Sequence, residues 1–129
     1  DAQFSIPYTV ATALAKGRFG LAELDDAALR DEQVLALAAK VEYEVDPDSP
    51  FPTYYSGEVV VTLNDGRELR HREHINRGAA ERPISNADVE RKFFENMQLV
   101  TSAARAAQVT LVAGDDADAF SSALEGAAR

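Results

Sequence analysis

The sequence predicts an α+β fold in which helices flank a small antiparallel three-strand meander and further helices follow. Apolar residues recur at helical spacing from Pro7 to Lys40. They alternate with polar ones in runs between Val41 and Ile75, then return to helical spacing after Ser85. Asn64-Asp65-Gly66 lies between two of the alternating runs and is a hairpin signal, with Gly66 supplying a positive φ. Helices and strands therefore come in blocks, whereas a parallel α/β sheet requires them interleaved.

Each element has its own local signals. Pro7 suits the first turn of a helix ending at Lys16, with Gly17 as its C′ residue. Val10, Ala11, Ala13 and Leu14 leave that helix little polar surface, so it is expected to be buried on most sides. Asp25 and Asp31 read as N-caps of a short helix, Asp26 to Arg30, and a longer one, Glu32 to Lys40. Val34, Leu37, Ala38 and Val41 mark the inner face of the second. Val41, Tyr43 and Val45 alternate with Glu42 and Glu44 as the first predicted strand. A proline-rich loop, Asp46 to Pro52, follows. Val59, Val61 and Leu63 belong to the second strand, and Arg67 to about Ile75 form the third.

Pro83 to Met97 spell out a helix start. Ser85 is the N-cap and Asp88 stands where a capping-box partner belongs, although Glu or Gln is the usual residue there. Ile84 and Val89 are placed for a hydrophobic staple, and Val89, Phe93, Met97 and Val100 define an apolar face. Lys92 has no physical account. A further helical stretch is expected to about Ala113, and a last amphipathic helix after Asp115 or Asp116 carries Phe120, Leu124 and Ala127. Residues 1–100 are read as one α+β domain and 101–129 as C-terminal helices.

Composition narrows the function classes. A chain of 129 residues with 46% hydrophobic and 27% charged residues suits one soluble domain. Its net charge of −9 opposes nucleic-acid binding, which needs clustered cations, and an anionic membrane surface. Cysteine is absent, so disulfides and thiolate metal sites are excluded. No apolar run approaches the roughly 20 residues of a membrane span. A cytoplasmic location fits. The first residue is Asp1 rather than Met, which fits a trimmed piece of a longer protein.

Candidate chemistry is sparse. His71 and His74 fall on opposite faces of one predicted strand, so they cannot form a metal pair there and read as ordinary surface histidines. The Asp46/Asp48 and Asp115/Asp116/Asp118 groups lack the ligand number and glycine of a calcium loop, and turn or cap roles explain them. No serine has a nucleophile-elbow context, and no phosphate loop is present. Arg77 to Arg82 is a loop with two guanidinium groups ahead of a helix N-terminus. It can hold a carboxylate or serve as a solvated connector. Tyr8, in the first turn of the opening helix, can move a proton or orient a carboxylate, or simply pack in the core. Tyr54 and Tyr55 mark a packed or binding loop.

Three segments together resemble the C-terminal part of the MmgE/PrpD family. They are Phe4-Ser5-Ile6-Pro7-Tyr8 through Gly17, Asp31 to Val41 leading to the Asn64-Asp65-Gly66 hairpin, and Gly78 to Phe93 with Pro83-Ile84-Ser85 and Asp88-Val89. The resemblance covers most of the chain to about Met97. It implies the smaller α+β lid of a lyase or isomerase whose active site lies in the cleft between that lid and a large all-helical domain. Dehydratases, decarboxylases and epimerases of small polycarboxylates share this plan, moving a proton next to a carboxylate with no organic cofactor and no metal. The C-terminal helices would return to that helical domain, which the chain lacks, and the full-length protein is expected to be a homodimer. By resemblance Tyr8 is the catalytic residue to carry over, and Arg77 and Gly78 are substrate contacts. Most acid/base residues are expected upstream, so the chain alone is expected to be inactive. The alternative is a stand-alone acidic domain that binds a protein through a sheet edge or helix face. A small-molecule binding module without chemistry is a third reading.

Overall fold

The computed structural model describes residues 1–112. The order of regular elements is α1 (Ile6–Lys16), α2 (Glu32–Ala38), β1 (Gly57–Thr62), β2 (Glu68–Glu73), α3 (Asn86–Met97) and α4 (Ala103–Val112), with short 3-10 turns at Ala2–Phe4, Leu21–Leu24 and Ala28–Arg30. The class is α+β. Two compact units divide the described residues, one built from 1–44 and 93–112, the other from 45–92.

In the first unit, α1 starts where Ser5 accepts from the Tyr8 N–H at 3.3 Å, with Pro7 in the first turn. It stops at Gly17, whose φ of 72° places it in the left-handed region. Asp31 caps α2 by accepting from the N–H groups of Gln33 (3.0 Å) and Val34 (3.2 Å). It also receives Lys16 Nζ at 2.6 Å, so one carboxylate joins the last turn of α1 to the first turn of α2. Both charges sit at the helix ends that favour them. Tyr8, Ala11 and Val34 form the core where α1 meets α2, with Leu24, Leu29 and Leu37 packed around it. Ala106 and Val109, one helical turn apart on α4, are also buried.

The expectation that α1 is buried on most sides is corrected. Only Tyr8, Ala11 and Thr12 are buried, on one side, while Ile6 and Leu14 stay about half exposed. The 3-10 turns at Ala2–Phe4 and Leu21–Leu24 were not readable from periodicity, because three or four residues are too short to show one.

The second unit is built on a hairpin. β1 and β2 pair antiparallel from Gly57↔Glu73 to Thr62↔Glu68. Leu63 N–H donates to Arg67 O at 2.8 Å and Gly66 N–H to Leu63 O at 2.9 Å. The loop is therefore Asn64-Asp65-Gly66, with Gly66 at φ 84° as foreseen. The predicted first strand is not formed. Among the described residues the sheet has two strands, and Val41 to Val45 lie outside it. Alternation alone does not make a strand: a ladder partner is needed, and Tyr43 and Val45 are exposed, with nothing covering the face that the alternation created. Glu58 on β1 accepts from Arg70 at 2.5 Å and from Arg72 at 2.9 Å on the neighbouring strand. Asp46 meets Arg72 from the preceding loop.

Helix α3 begins as its sequence requires, with Ser85 Oγ accepting from the Asp88 N–H at 3.1 Å. The second half of the capping box does not form. Asp88 instead accepts the Ser85 hydroxyl proton at 2.8 Å. Aspartate is one methylene shorter than the usual glutamate, which explains a carboxylate that stops at the hydroxyl. The apolar face of α3 has no buried residue; Ile84, Val89 and Val100 are exposed. The last predicted helix, with Phe120, Leu124 and Ala127, lies outside the described residues.

Candidate functional site

The candidate residues fall in both units. Tyr8 belongs to the first; Arg77 and Gly78 belong to the second. Tyr8 stands on the buried side of α1, and its ring meets Phe19 edge-on at 6.2 Å. Its hydroxyl donates to the backbone carbonyl of Glu23 at 2.7 Å in a buried contact. Glu23 is itself fastened. One carboxylate oxygen accepts from Gly20 N–H at 2.8 Å, the other from Arg18 Nε at 2.8 Å. This closes the turn at Leu21–Leu24 and aims its carbonyl at the phenol. Sequence reading missed Glu23 altogether. The available signal was Gly20 three residues before an acidic side chain, a half capping box too short to stand out.

In the second unit, the loop from Asn76 to Arg82 folds back on itself. Gly78 N–H donates to Arg82 O at 2.9 Å, Ala79 N–H to Asn76 O at 3.2 Å and Arg82 N–H to Ala79 O at 3.0 Å. Gly78 has φ 96°, and a Cβ there would lie 3.4 Å from Ile84 Cδ1, so the position favours glycine. Arg82 anchors the loop to the end of β2. It binds both carboxylate oxygens of Glu73, one of them at 2.9 Å, and donates to Ile75 O at 2.8 Å. Arg77 reaches forward instead, donating to Asp88 Oδ2 at 2.9 Å from an exposed position.

Electrostatics in this unit follow from these pairs. The Ser85 hydroxyl and then the Arg91 guanidinium hold the Asp88 carboxyl below the ordinary aspartate range, with Arg77 adding to it. Arg82, then His71, lower Glu73. Arg70 and Arg72 lower Glu58, while Glu58 and Asp46 push Arg72 up. Tyr54 gives its hydroxyl hydrogen bond to Glu81, which lowers the acid and raises the phenol. With Tyr55 N–H donating to Asn76 Oδ1 at 3.1 Å, the tyrosine loop is laced to the arginine loop. Arg77 therefore faces an anion already supplied by the protein. Any carboxylate ligand at Arg77 would have to share or displace Asp88.

His71 Nε2 lies 3.0 Å from Glu73 Oε1 on an exposed face, and His74 is exposed. Asp46 makes the expected turn contact, accepting from Asp48 N–H at 3.0 Å. Among the described residues, no group of three or more His, Cys, Asp or Glu side chains is placed to hold a metal ion. None of their helices is long and apolar enough to cross a membrane.

The model of the MmgE/PrpD C-terminal domain matches residues 1–115. The chain belongs to the MmgE/PrpD family. Two curated relatives carry the name cis-aconitate decarboxylase. The Homo sapiens protein is 31% identical over 104 residues, covering 79% of this chain and 21% of its own length. The Mus musculus protein is 31% identical over 98 residues, covering 74% of this chain and 20% of its own length. The chain thus spans about a fifth of the MmgE/PrpD relatives it matches. No solved structure matches. Both Tyr8 and the Arg77 loop lie inside the matched span, as do the caps at Ser5, Asp31 and Ser85.

Proposed function

We propose that this chain is the C-terminal, lid-containing portion of a lyase or isomerase that acts on small polycarboxylates. The reaction moves a proton next to a carboxylate, and the chain does not turn over substrate alone. The family match over residues 1–115 carries the reading. The printed activity of the two relatives makes cis-aconitate the first substrate to try. The candidate residues support a portion rather than a whole site. Tyr8 is tied to Glu23 O, Gly78 to Arg82 O and Arg77 to Asp88, each within its own unit. In the complete enzyme, Arg77 is a substrate-carboxylate contact that exchanges with Asp88, and Gly78 holds the loop that presents it.

Assaying the full-length polypeptide and the 129-residue chain side by side against cis-aconitate, 2-methylcitrate and iminodisuccinate tests this. Turnover of at least one substrate by the full-length protein, and none by the chain, is expected. Turnover by the chain alone overturns its dependence on the remainder, and a full-length protein inert towards all three overturns the enzyme reading.

A further inference from the structure

The tip of the β1–β2 hairpin carries a reactive backbone step. Asp65-Gly66 is the chain's one Asp-Gly pair, and none of its asparagines precedes a glycine. An aspartate side-chain carboxyl can be attacked by the amide nitrogen of the next residue, and glycine, with no Cβ, shields that nitrogen least. The step is open: the Asp65 side chain is 53% exposed, and nothing lies within 4 Å of where a Gly66 Cβ would stand. The turn also restrains the attack. Gly66 N–H is engaged by Leu63 O at 2.9 Å. Asp65 Oδ1 accepts from Arg67 N–H at 3.1 Å and Oδ2 from Arg67 Nε at 2.7 Å, so one residue occupies both carboxylate oxygens. An ionised carboxylate is a poor electrophile, because its oxygen departs as water only after protonation. Arg67, first through its N–H and then through its guanidinium, holds Asp65 below the ordinary aspartate value and so in the unreactive form.

We propose that Asp65-Gly66 is a site of spontaneous backbone modification, through a cyclic imide to isoaspartate, and that Arg67 restrains it. In the first step Gly66 N bonds to Asp65 Cγ and a Cγ–O bond breaks. The carboxyl hydroxyl and the amide proton leave together as water. In the second step one water adds back. Addition at Cγ restores aspartate; addition at the main-chain carbonyl carbon of Asp65 leaves Gly66 joined through Cγ. Water is the one co-reactant, and nothing is oxidised or reduced. The isoaspartyl product carries an extra methylene in the main chain between Leu63 and Arg67, whose backbone bonds close the turn. The modification therefore breaks the turn that fixes the pairing of β1 with β2.

The full-length polypeptide is aged at neutral pH in water enriched in heavy oxygen, both folded and unfolded in urea, then digested in ordinary water. Peptide mass spectrometry locates the heavy oxygen and the isoaspartyl form. Both are expected at Asp65 in urea, and about tenfold more slowly in the folded protein, because ring closure there must break the Gly66 and Arg67 bonds. Arg67→Ala should raise the folded rate about two- to fivefold, the worth of an exposed ion pair. Amide exchange in the hairpin shows whether that variant keeps its turn. If it does not, Arg67→Gln, which keeps the stem and removes the charge, is read in its place. No isoaspartate at Asp65 in urea overturns the site. A folded rate equal to the unfolded one, or Arg67 variants with an intact hairpin that age no faster than wild type, overturns the restraint.

Discussion

Replacing Thr12 by valine should stabilise the first unit. Thr12 is 1% exposed on the buried side of α1, and its Oγ1 has no hydrogen-bond partner among the described residues. A helical threonine usually sends its hydroxyl to the carbonyl three or four residues back, and here that bond is not made. The hydroxyl therefore carries its desolvation penalty without return, about 1–3 kcal/mol. Valine keeps the branched shape, has nearly the same helix propensity and removes the polar atom. The expected gain is about 1–2 kcal/mol, which raises the melting temperature by roughly 5 °C in a domain of this size. Thr12→Ser keeps the hydroxyl and removes the methyl group, and should lose about 1 kcal/mol. Urea unfolding followed by helical circular dichroism gives the order, with valine above threonine and threonine above serine. If valine falls below wild type by about 1 kcal/mol or more, the hydroxyl has a partner and the reasoning fails.

What could be read from the sequence divides by the range of the interactions. Ser5, Asp31, Ser85, Gly17 and Gly66 all do what their local chemistry demands, because a cap or a turn is decided within a few residues. Asp25 does accept from Ala28 N–H, but the short helix expected from Asp26 is only a 3-10 turn at Ala28–Arg30 with Ala27 as its N-cap. The segment Val41 to Val45 shows the opposite case. Its alternation is genuine, but a strand is a property of two segments, and this one has no ladder partner. Glu23 was hidden for a similar reason: its value lies in the Tyr8 hydroxyl, fifteen positions away, that its carbonyl receives. The candidate residues were legible only as residue types. Tyr8 and Arg77 were picked out, yet nothing local told that Glu23 and Asp88 already occupy them. The family was legible because the caps and turns it uses are themselves local.

Three further outcomes are expected. Gly66→Ala puts a Cβ on a residue at φ 84° and should cost about 1 kcal/mol, with Gly66→Asn milder; hairpin amide exchange checks it, and an unchanged alanine variant refutes it. Tyr8→Phe leaves the buried Glu23 carbonyl unpaired and should cost about 1–2 kcal/mol in urea unfolding, so an unperturbed midpoint would show that the bond contributes nothing. Asp31 is held below the ordinary aspartate value of 3.8, first by its hydrogen bond from Lys16 and then by that from Val34 N–H. A depressed folded value means its contribution is complete above 3.8 and is lost as pH falls through the folded value. Carbon-detected titration of Asp31 should therefore show a midpoint below 3.8, and Asp31→Asn should flatten the acid limb of the stability curve; a midpoint at or above 3.8 refutes the assignment.

The geometry around Tyr8 also limits what chemistry the residue can do. A phenol has one proton to give and lone pairs to accept with. The proton is spent on Glu23 O at 2.7 Å, and that carbonyl sits on a turn held by Arg18 and Gly20 through the Glu23 carboxylate. Donating it elsewhere strands a buried carbonyl, at a cost of about 1–3 kcal/mol. Accepting costs no such bond, and a hydroxyl that already donates is polarised into a better acceptor. Within its own unit the arrangement therefore leaves the Tyr8 oxygen freer to accept a hydrogen bond than to give its proton elsewhere. Phenylalanine at this position removes both roles. If the full-length protein turns over substrate, a loss of turnover in Tyr8→Phe beyond what its destabilisation explains would belong to the accepting oxygen.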